Sequence, residues 1–394
     1  MAAYTTHAPI LINGNSGFHG PNASTGISWG SGTASDPYII DGWDISASTA
    51  NGIEIDNVDA HFIIRNCYLH DGLGTFSGIL LDNCTNGALT ENTCSNNYDC
   101  IGIMNSHGII VSNNSVNNSD ISDLYGISLY NSNNNTVANN ECLDNDVGIF
   151  LAHDMTPCEN NTVIGNNCSS NTFSGIYLFL ANNNLLNNNT CLNNFAYGIE
   201  LEGSSYNNIL SNNNCTSNDV FGIIFIGSNS NIVRDNTIDS NGYNGMKLVS
   251  TAHDNLIYNN TISNNTRYGI TCEVATTNNR IWNNTFYHNN GTGDVYNPAL
   301  IQAHDNGTSN YWNSTDGYGN LWSDWTTPDS FPPWGIVDNP YNVSGDALAK
   351  DFNPRTNAPV IPEFSDILIP ITGLIMLALA IGRIRKSSPP LLRS

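Results

Sequence analysis

A unit of about two dozen residues returns along most of this chain, and it restricts the possible folds more than any other feature. A Gly followed by an apolar residue, any residue and usually a second apolar residue recurs at Gly52, Gly78, Gly102, Gly126, Gly148, Gly175, Gly198, Gly222, Gly245 and Gly269, at intervals of 22 to 27 residues. A second pattern keeps phase with the first. An apolar residue is followed three positions later by Asn and five later by a small or apolar residue, as in Leu89/Asn92/Cys94, Val111/Asn114/Val116, Val137/Asn140/Cys142, Val163/Asn166/Cys168 and Leu186/Asn189/Cys191. It continues through Leu210/Asn213/Cys215, Val233/Asn236/Ile238, Ile257/Asn260/Ile262 and Ile281/Asn284/Phe286. Two more Asn columns flank it, one through Asn135, Asn161, Asn184, Asn208, Asn231, Asn255 and Asn279, the other through Asn97, Asn145, Asn171, Asn194, Asn218, Asn241, Asn265 and Asn289.

Each repeat thus holds three short apolar segments separated by Asn-rich corners. The segments alternate with period two and are too short and too rich in Gly and Asn for helix, so they read as strands. Three strands per repeat, stacked in register, predict an all-β chain: a right-handed parallel β-helix of about eleven coils. Asn tolerates the left-handed conformation that a corner between strands requires. An inward Asn amide can also bond the backbone and the Asn of the neighbouring coil, so Asn92, Asn114, Asn140, Asn166, Asn189, Asn213, Asn236, Asn260 and Asn284 are expected to form a structural ladder.

In this repeat, and in the segments SGTASDPYIIDGWDI (31–45) and NYWNSTDGYGNLWSDW (310–325), the chain resembles NosD-like parallel β-helix proteins of the carbohydrate-binding and sugar-hydrolase repeat type, as found in archaeal surface proteins. The resemblance covers residue 30 to about 325. It implies the same fold and, by the family's name, a link to copper. The nine His are scattered with no short-spaced pair, and the five Met do not cluster, whereas a copper site gathers such donors. No metal ligand set is therefore assigned. The Asp-Asp pair, Gly-His-Gly and Arg-Ile-Lys of pectin hydrolases, which share this fold, do not occur.

Charge narrows the partners. Residues 1–365 hold 7 of the 11 basic and 33 of the 34 acidic residues, a net of −26. Such a surface repels nucleic acid and anionic membrane and attracts cations. No cofactor is expected, although the acidic turns Asp144/Asp146 and Asp120/Asp123 could help bind Ca²⁺.

The expected organisation is an N-terminal cap (1–37), the β-helix (38–297), an aromatic-rich C-terminal cap (298–356), a linker (357–366), a transmembrane or sorting segment (367–386) and a cytoplasmic tail (387–394). Ile367–Gly382 is apolar and is followed by Arg383, Arg385 and Lys386, which places the β-helix outside the cell and a membrane helix at its C-terminus. Pro362-Glu363-Phe364 before the apolar run resembles the sorting tail of archaeal surface proteins. MAAYTTHAPI has neither a charged nor an apolar leader region, so the export signal is expected to lie outside this sequence. Exposed coil ends invite end-to-end self-association, which the cap is expected to limit. Trp312, Trp322, Trp325 and Trp334 are expected to seal that cap, and Asn-X-Ser/Thr sites at Asn22, Asn306 and Asn342 lie where glycans could attach. Five of the ten Cys (Cys94, Cys142, Cys168, Cys191, Cys215) share a column that other coils fill with apolar residues, which predicts an inward ladder of free thiols.

Chemistry should sit on the outward positions of the Gly-led strands: Glu54, Leu80, Met104, Ser128, Phe150, Tyr177, Glu200, Ile224, Lys247 and Thr271, with Phe179, Glu202, Ile226 and Glu273 beside them. Aromatic faces beside carboxylates suit sugar rings, so Phe150, Tyr177, Phe179, Glu200, Glu202, Lys247 and Glu273 are the candidate ligand-binding residues. Three functions follow. The first is a non-enzymatic surface protein that binds an envelope glycan or builds the envelope. The second is a polysaccharide hydrolase or lyase using Glu200 and Glu202, which stand about 7 Å apart along a strand. The third is an envelope metal-accessory protein.

Overall fold

The computed structural model describes residues 4–18, 25–117, 125–154, 156–325 and 335–355. They form a parallel β-solenoid of about ten coils with three sheets. The Gly-led strands build one twelve-stranded sheet, here the Gly sheet, from Ile10–Asn13 to Ala303–Asp305. A second twelve-stranded sheet, the aliphatic sheet, runs from Ile27–Trp29 to Arg280–Trp282. The third, the thiol sheet, comes in two six-stranded runs, Thr5–Thr6 to Glu141–Cys142 and Thr190–Leu192 to Leu321–Trp322, bridged through Asn167. Within these sheets the pairing is parallel except where Ile27–Trp29 folds back on Tyr38–Asp41. The N-terminal segment supplies first rungs: Ile10–Asn13 pairs with Ile53–Asp56, and Thr5–Thr6 with Trp43 and Asp44. The only helical pieces among the described residues are two three-residue 3-10 turns. No described helix is long and apolar enough to cross a membrane. The expected linker, membrane segment and tail lie outside the described residues, as do Trp334, Asn22, Asp120 and Asp123.

The core is a set of in-register columns. Ile64, Leu89, Val111, Val137, Val163, Leu186 and Leu210 stack in the aliphatic sheet, and Leu69, Cys94, Val116 and Cys142 in the thiol sheet, all buried. All ten Cys are free and buried. Cys67 stands in the rung position before Asn92, whose Oδ1 accepts its N–H at 3.1 Å. Cys84 donates its N–H to Ser106 Oγ in a turn column of small residues.

The Asn pairs divide two tasks. The first member takes the left-handed corner, as in Asn139, Asn188, Asn212, Asn259 and Asn283, with φ between 53° and 59°. The second turns inward. Asn189 Nδ2 donates to Val163 O at 2.9 Å and to Asn213 Oδ1 at 3.0 Å, and its own Oδ1 accepts the N–H and the side-chain amide of Asn166. This pattern repeats from Asn92 to Asn284. The two flanking columns make ladders of the same kind.

All three ladders donate toward the C-terminus, and each ends on a buried carboxylate. Asn284 gives to Asn320, which gives to Asp351. Asn279 gives to Asn310, which gives to Asp305. Asn289 gives to Gln302, which gives to Asp324. Trp322 Nε1, Trp312 Nε1 and Tyr341 OH donate to the same three carboxylates at 2.9, 2.9 and 3.2 Å. A carboxylate accepts only, so it is the side chain that can end a chain of donors without orphaning one. The cap rings also cover the last coil: Phe286 stacks on Trp322 at 4.2 Å and Trp322 on Tyr341 at 4.0 Å.

The repeat glycines are explained by space rather than dihedral angle. A Cβ at Gly148 would lie 2.6 Å from Gly175 O, and one at Gly198 2.5 Å from Gly222 O, while neither residue has positive φ. One coil departs from the sequence phasing. Ile101 pairs with Ile79 and Ile127, and Gly102 with Leu80 and Ser128. Cys100 therefore takes the inward place held by Gly in other coils. Gly102 faces outward in the column assigned from sequence to Met104, and Met104 moves to the next column beside Asp82 and Tyr130.

Candidate functional site

The register of the Gly sheet gathers the candidate side chains on its outer surface. One outward column runs Ser128, Phe150, Tyr177, Glu200, Ile224, Lys247, Thr271, His304. The next runs Ala152, Phe179, Glu202, Ile226, Val249. A third, on the other side, runs Asp99, Tyr125, Val147, Ser174, Tyr197, Phe221. Tyr177/Phe179, Glu200/Glu202 and Ile224/Ile226 thus occupy three successive rungs, with Lys247 on the fourth. Glu273 follows the end of the strand Ile270–Cys272, and its carboxylate lies 3.1 Å from Lys247 Nζ.

Rings line this surface. Tyr125 stacks on Phe150 at 4.5 Å, Phe150 meets Tyr177 at 5.2 Å, and Tyr177 meets Phe179 edge-on at 6.3 Å. A second run follows the turn before each Gly: Phe173 to Tyr197 at 5.5 Å, Tyr197 stacked on Phe221 at 5.5 Å, and Phe221 to Tyr243 at 5.8 Å. Lys247 Nζ sits over Phe221 and the Arg267 guanidinium over Tyr243, at 5.4 and 4.3 Å. Phe173 and Tyr243, at the two ends of this run, are exposed, so they form a rim above a half-buried floor.

The two carboxyls between the rings differ. Glu200 is 3% exposed and accepts Ser174 Oγ at 3.0 Å. Burial pushes its pKa up to about 7, the Ser174 hydrogen bond opposes that, and the Glu202 charge adds to it. Glu202 is half-buried and accepts the Tyr177 hydroxyl. Burial, the Glu202 hydrogen bond and both carboxylates hold the Tyr177 phenol well above its ordinary value. Of the pair, Glu202 is the one presented to solvent. A group that can stay protonated near neutrality therefore lies beside one that accepts from a phenol.

Sequence reasoning named Phe150, Tyr177, Phe179, Glu200, Glu202, Lys247 and Glu273, and this surface holds all of them. It missed Tyr125, Phe173, Tyr197, Phe221 and Tyr243. Their signal was an aromatic residue one or two places before the repeat Gly, as in FSG, AYG, VFG and YNG. In the acidic turn Asp144 accepts Asn117 Nδ2, and Asp146 accepts Thr172 Oγ1.

The NosD family model, described as periplasmic copper-binding protein (NosD), matches residues 12–194 and 155–327. No curated protein matches the chain. Solved structures of similar fold include the periplasmic alginate epimerase AlgG, 15% identical over 79% of this chain and 82% of that one, with TM-score 0.43. The Azotobacter vinelandii mannuronan C-5 epimerase AlgE6 A-module is 14% identical over 79% and 91%, with TM-score 0.47. A tailspike protein of E. coli bacteriophage HK620, in complex with a pentasaccharide, is 14% identical over 72% and 58%, with TM-score 0.50. At these identities the likeness is one of fold. The copper of the family description finds no fitting donor set here. Among the described residues no three His, Cys, Asp or Glu side chains converge, every thiol is in the core, and His70, His253 and His288 each face a carboxylate of their own surroundings. On the family match across residues 12–327, the chain belongs to the NosD family of β-helix proteins.

Proposed function

We propose that this chain is an envelope protein, displayed outside the cell and held there by its apolar segment 367–382, that binds a polysaccharide along the outer surface of the Gly sheet. The observation that carries this reading is the run of rings on successive coils, from Tyr125 to Tyr243, interleaved with Glu202 and Lys247. Ring faces take the C–H faces of pyranoses, and the carboxylate, phenol and ammonium groups between them take hydroxyls. Rungs about 4.8 Å apart offer these contacts repeatedly, which suits a polymer better than a free sugar. A reader of the sheet's length would need no moving parts, and the ladders supply a rigid support.

The test is retention of the whole chain on immobilised polysaccharides. Replacing the exposed Phe173 and Tyr243 by Ala should weaken retention by roughly ten-fold or more, at about 1 kcal/mol per ring. Unchanged retention would remove this surface from the reading. A second reading, cleavage of the bound glycan, is favoured by one observation: Glu200 holds a proton near neutral pH beside Glu202. Release of reducing ends, lost in Glu200→Gln, would establish it. Retention without release would establish a binding protein.

A further inference from the structure

Resting on the binding reading above, we infer that the polysaccharide is a neutral one and that this surface excludes polyuronates. The cations are accounted for residue by residue. Residues 1–365 contain seven basic side chains. Arg65 is paired with Asp41 and Arg234 with Asp235, at 3.0 and 2.6 Å. Arg280 donates to Asn313 O and lies over Tyr311, on the aliphatic sheet's side. Lys350 and Arg355 belong to the cap segment. Two remain for the ring-lined surface. Lys247 is neutralised by Glu273 at 3.1 Å, which leaves Arg267 at the rim over Tyr243.

A polyuronate carries a carboxylate on every sugar. Laid along the rings from Tyr125 to Tyr243, it would bring several anions onto a surface that already presents Glu202, where Glu273 and Lys247 cancel each other and one uncommitted cation, Arg267, remains to meet them. Like charges brought together at an interface oppose association. The net −26 of residues 1–365 adds repulsion at a distance. A neutral glycan meets the opposite situation. Its hydroxyls donate to the same carboxylates, and those bonds are charge-assisted. The acceptor-rich surface that rejects uronates is therefore well suited to hexose or pentose hydroxyls.

The experiment is retention of the full chain on mannan, cellulose and starch against alginate and polygalacturonate. It is run in EDTA, so that no divalent ion bridges the two acids, at low salt and at about 0.5 M NaCl, where the screening length is a few ångströms. We expect at least one neutral polymer to be held at both salt levels, and both polyuronates to be held at least ten-fold more weakly at low salt. Glu273→Gln, which unpairs Lys247, should raise alginate retention several-fold. Tighter binding of a polyuronate than of every neutral polymer would overturn the inference and leave glycan binding standing. Failure of all polymers to bind would overturn both. No change in alginate retention with Glu273→Gln would overturn the electrostatic basis assigned to this surface.

Discussion

Adjacent asparagines in this chain are not interchangeable. Asn188 is an exposed corner at φ 56°, while Asn189 is buried and holds four ladder bonds. Asn189→Ala would orphan the N–H of Asn166 and one of the two hydrogens of its amide, whose other still reaches Val137 O, and would remove the side-chain donor to Val163 O inside the core. The expected loss is about 4 kcal/mol, since each stranded group costs about 1–3 kcal/mol. Asn188→Ala forfeits only the residue's ease in the left-handed region, about 1 kcal/mol. Urea unfolding midpoints of the two variants would separate the roles. Glu200 makes a second prediction at this scale. Its folded pKa of about 7 lies above the ordinary 4.5, so the folded chain holds the proton more tightly than the unfolded one. Stability from this group is then complete below pH 4.5 and falls as pH rises through about 7. Glu200→Gln should remove that fall and stabilise the chain at pH 8 by up to about 3 kcal/mol, with little effect at pH 4. The Asn columns could be read from spacing because identical residues recur at one phase. The burial of Glu200 could not, because it depends on rings contributed by neighbouring coils.

At the scale of strands and ladders, the repeat was legible wherever Gly, Ile and Asn kept step. It misled at one coil, where a Gly two residues late imitated the motif. The register places Cys100 on the Gly column and Gly102 outward under Asp99, whose Oδ2 would lie 3.2 Å from a Cβ there. A single Gly cannot reveal whether it serves close backbone approach inside or room for a side chain outside. The ladder ends were likewise hidden. Asp305, Asp324 and Asp351 lie in a segment with no repeat, and their common task appears only when three chains of donors converge on them. All groups facing Asp351 are donors: Asn320 N and Nδ2 and Trp322 Nε1 to one oxygen, Asn353 N to the other. Asp351→Asn would turn a side-chain donor toward one of them. It should destabilise the chain by about 2 kcal/mol despite being isosteric, and thermal unfolding would show whether it does.

For the whole molecule, two global properties follow from the same stacking. Ten thiols sit in one core with no disulfide among them, and burial raises Cys67 and Cys158 to about 12 and Cys84 to about 11. The folded chain should react with less than one equivalent of a thiol reagent, and the urea-unfolded chain with all ten. Substantial labelling of the native state would contradict the packing described. The second property concerns descent. Because each coil makes the same bonds to its neighbours, an in-frame duplication of one repeat would insert a new coil without disturbing the corners, the core or the three terminal carboxylates. It would also add one rung to the ring-lined surface. The reach of the surface proposed to bind glycan is thereby a heritable integer: lineages can lengthen or shorten it by counting repeats, while the residues at each step and the seal at the end stay unchanged.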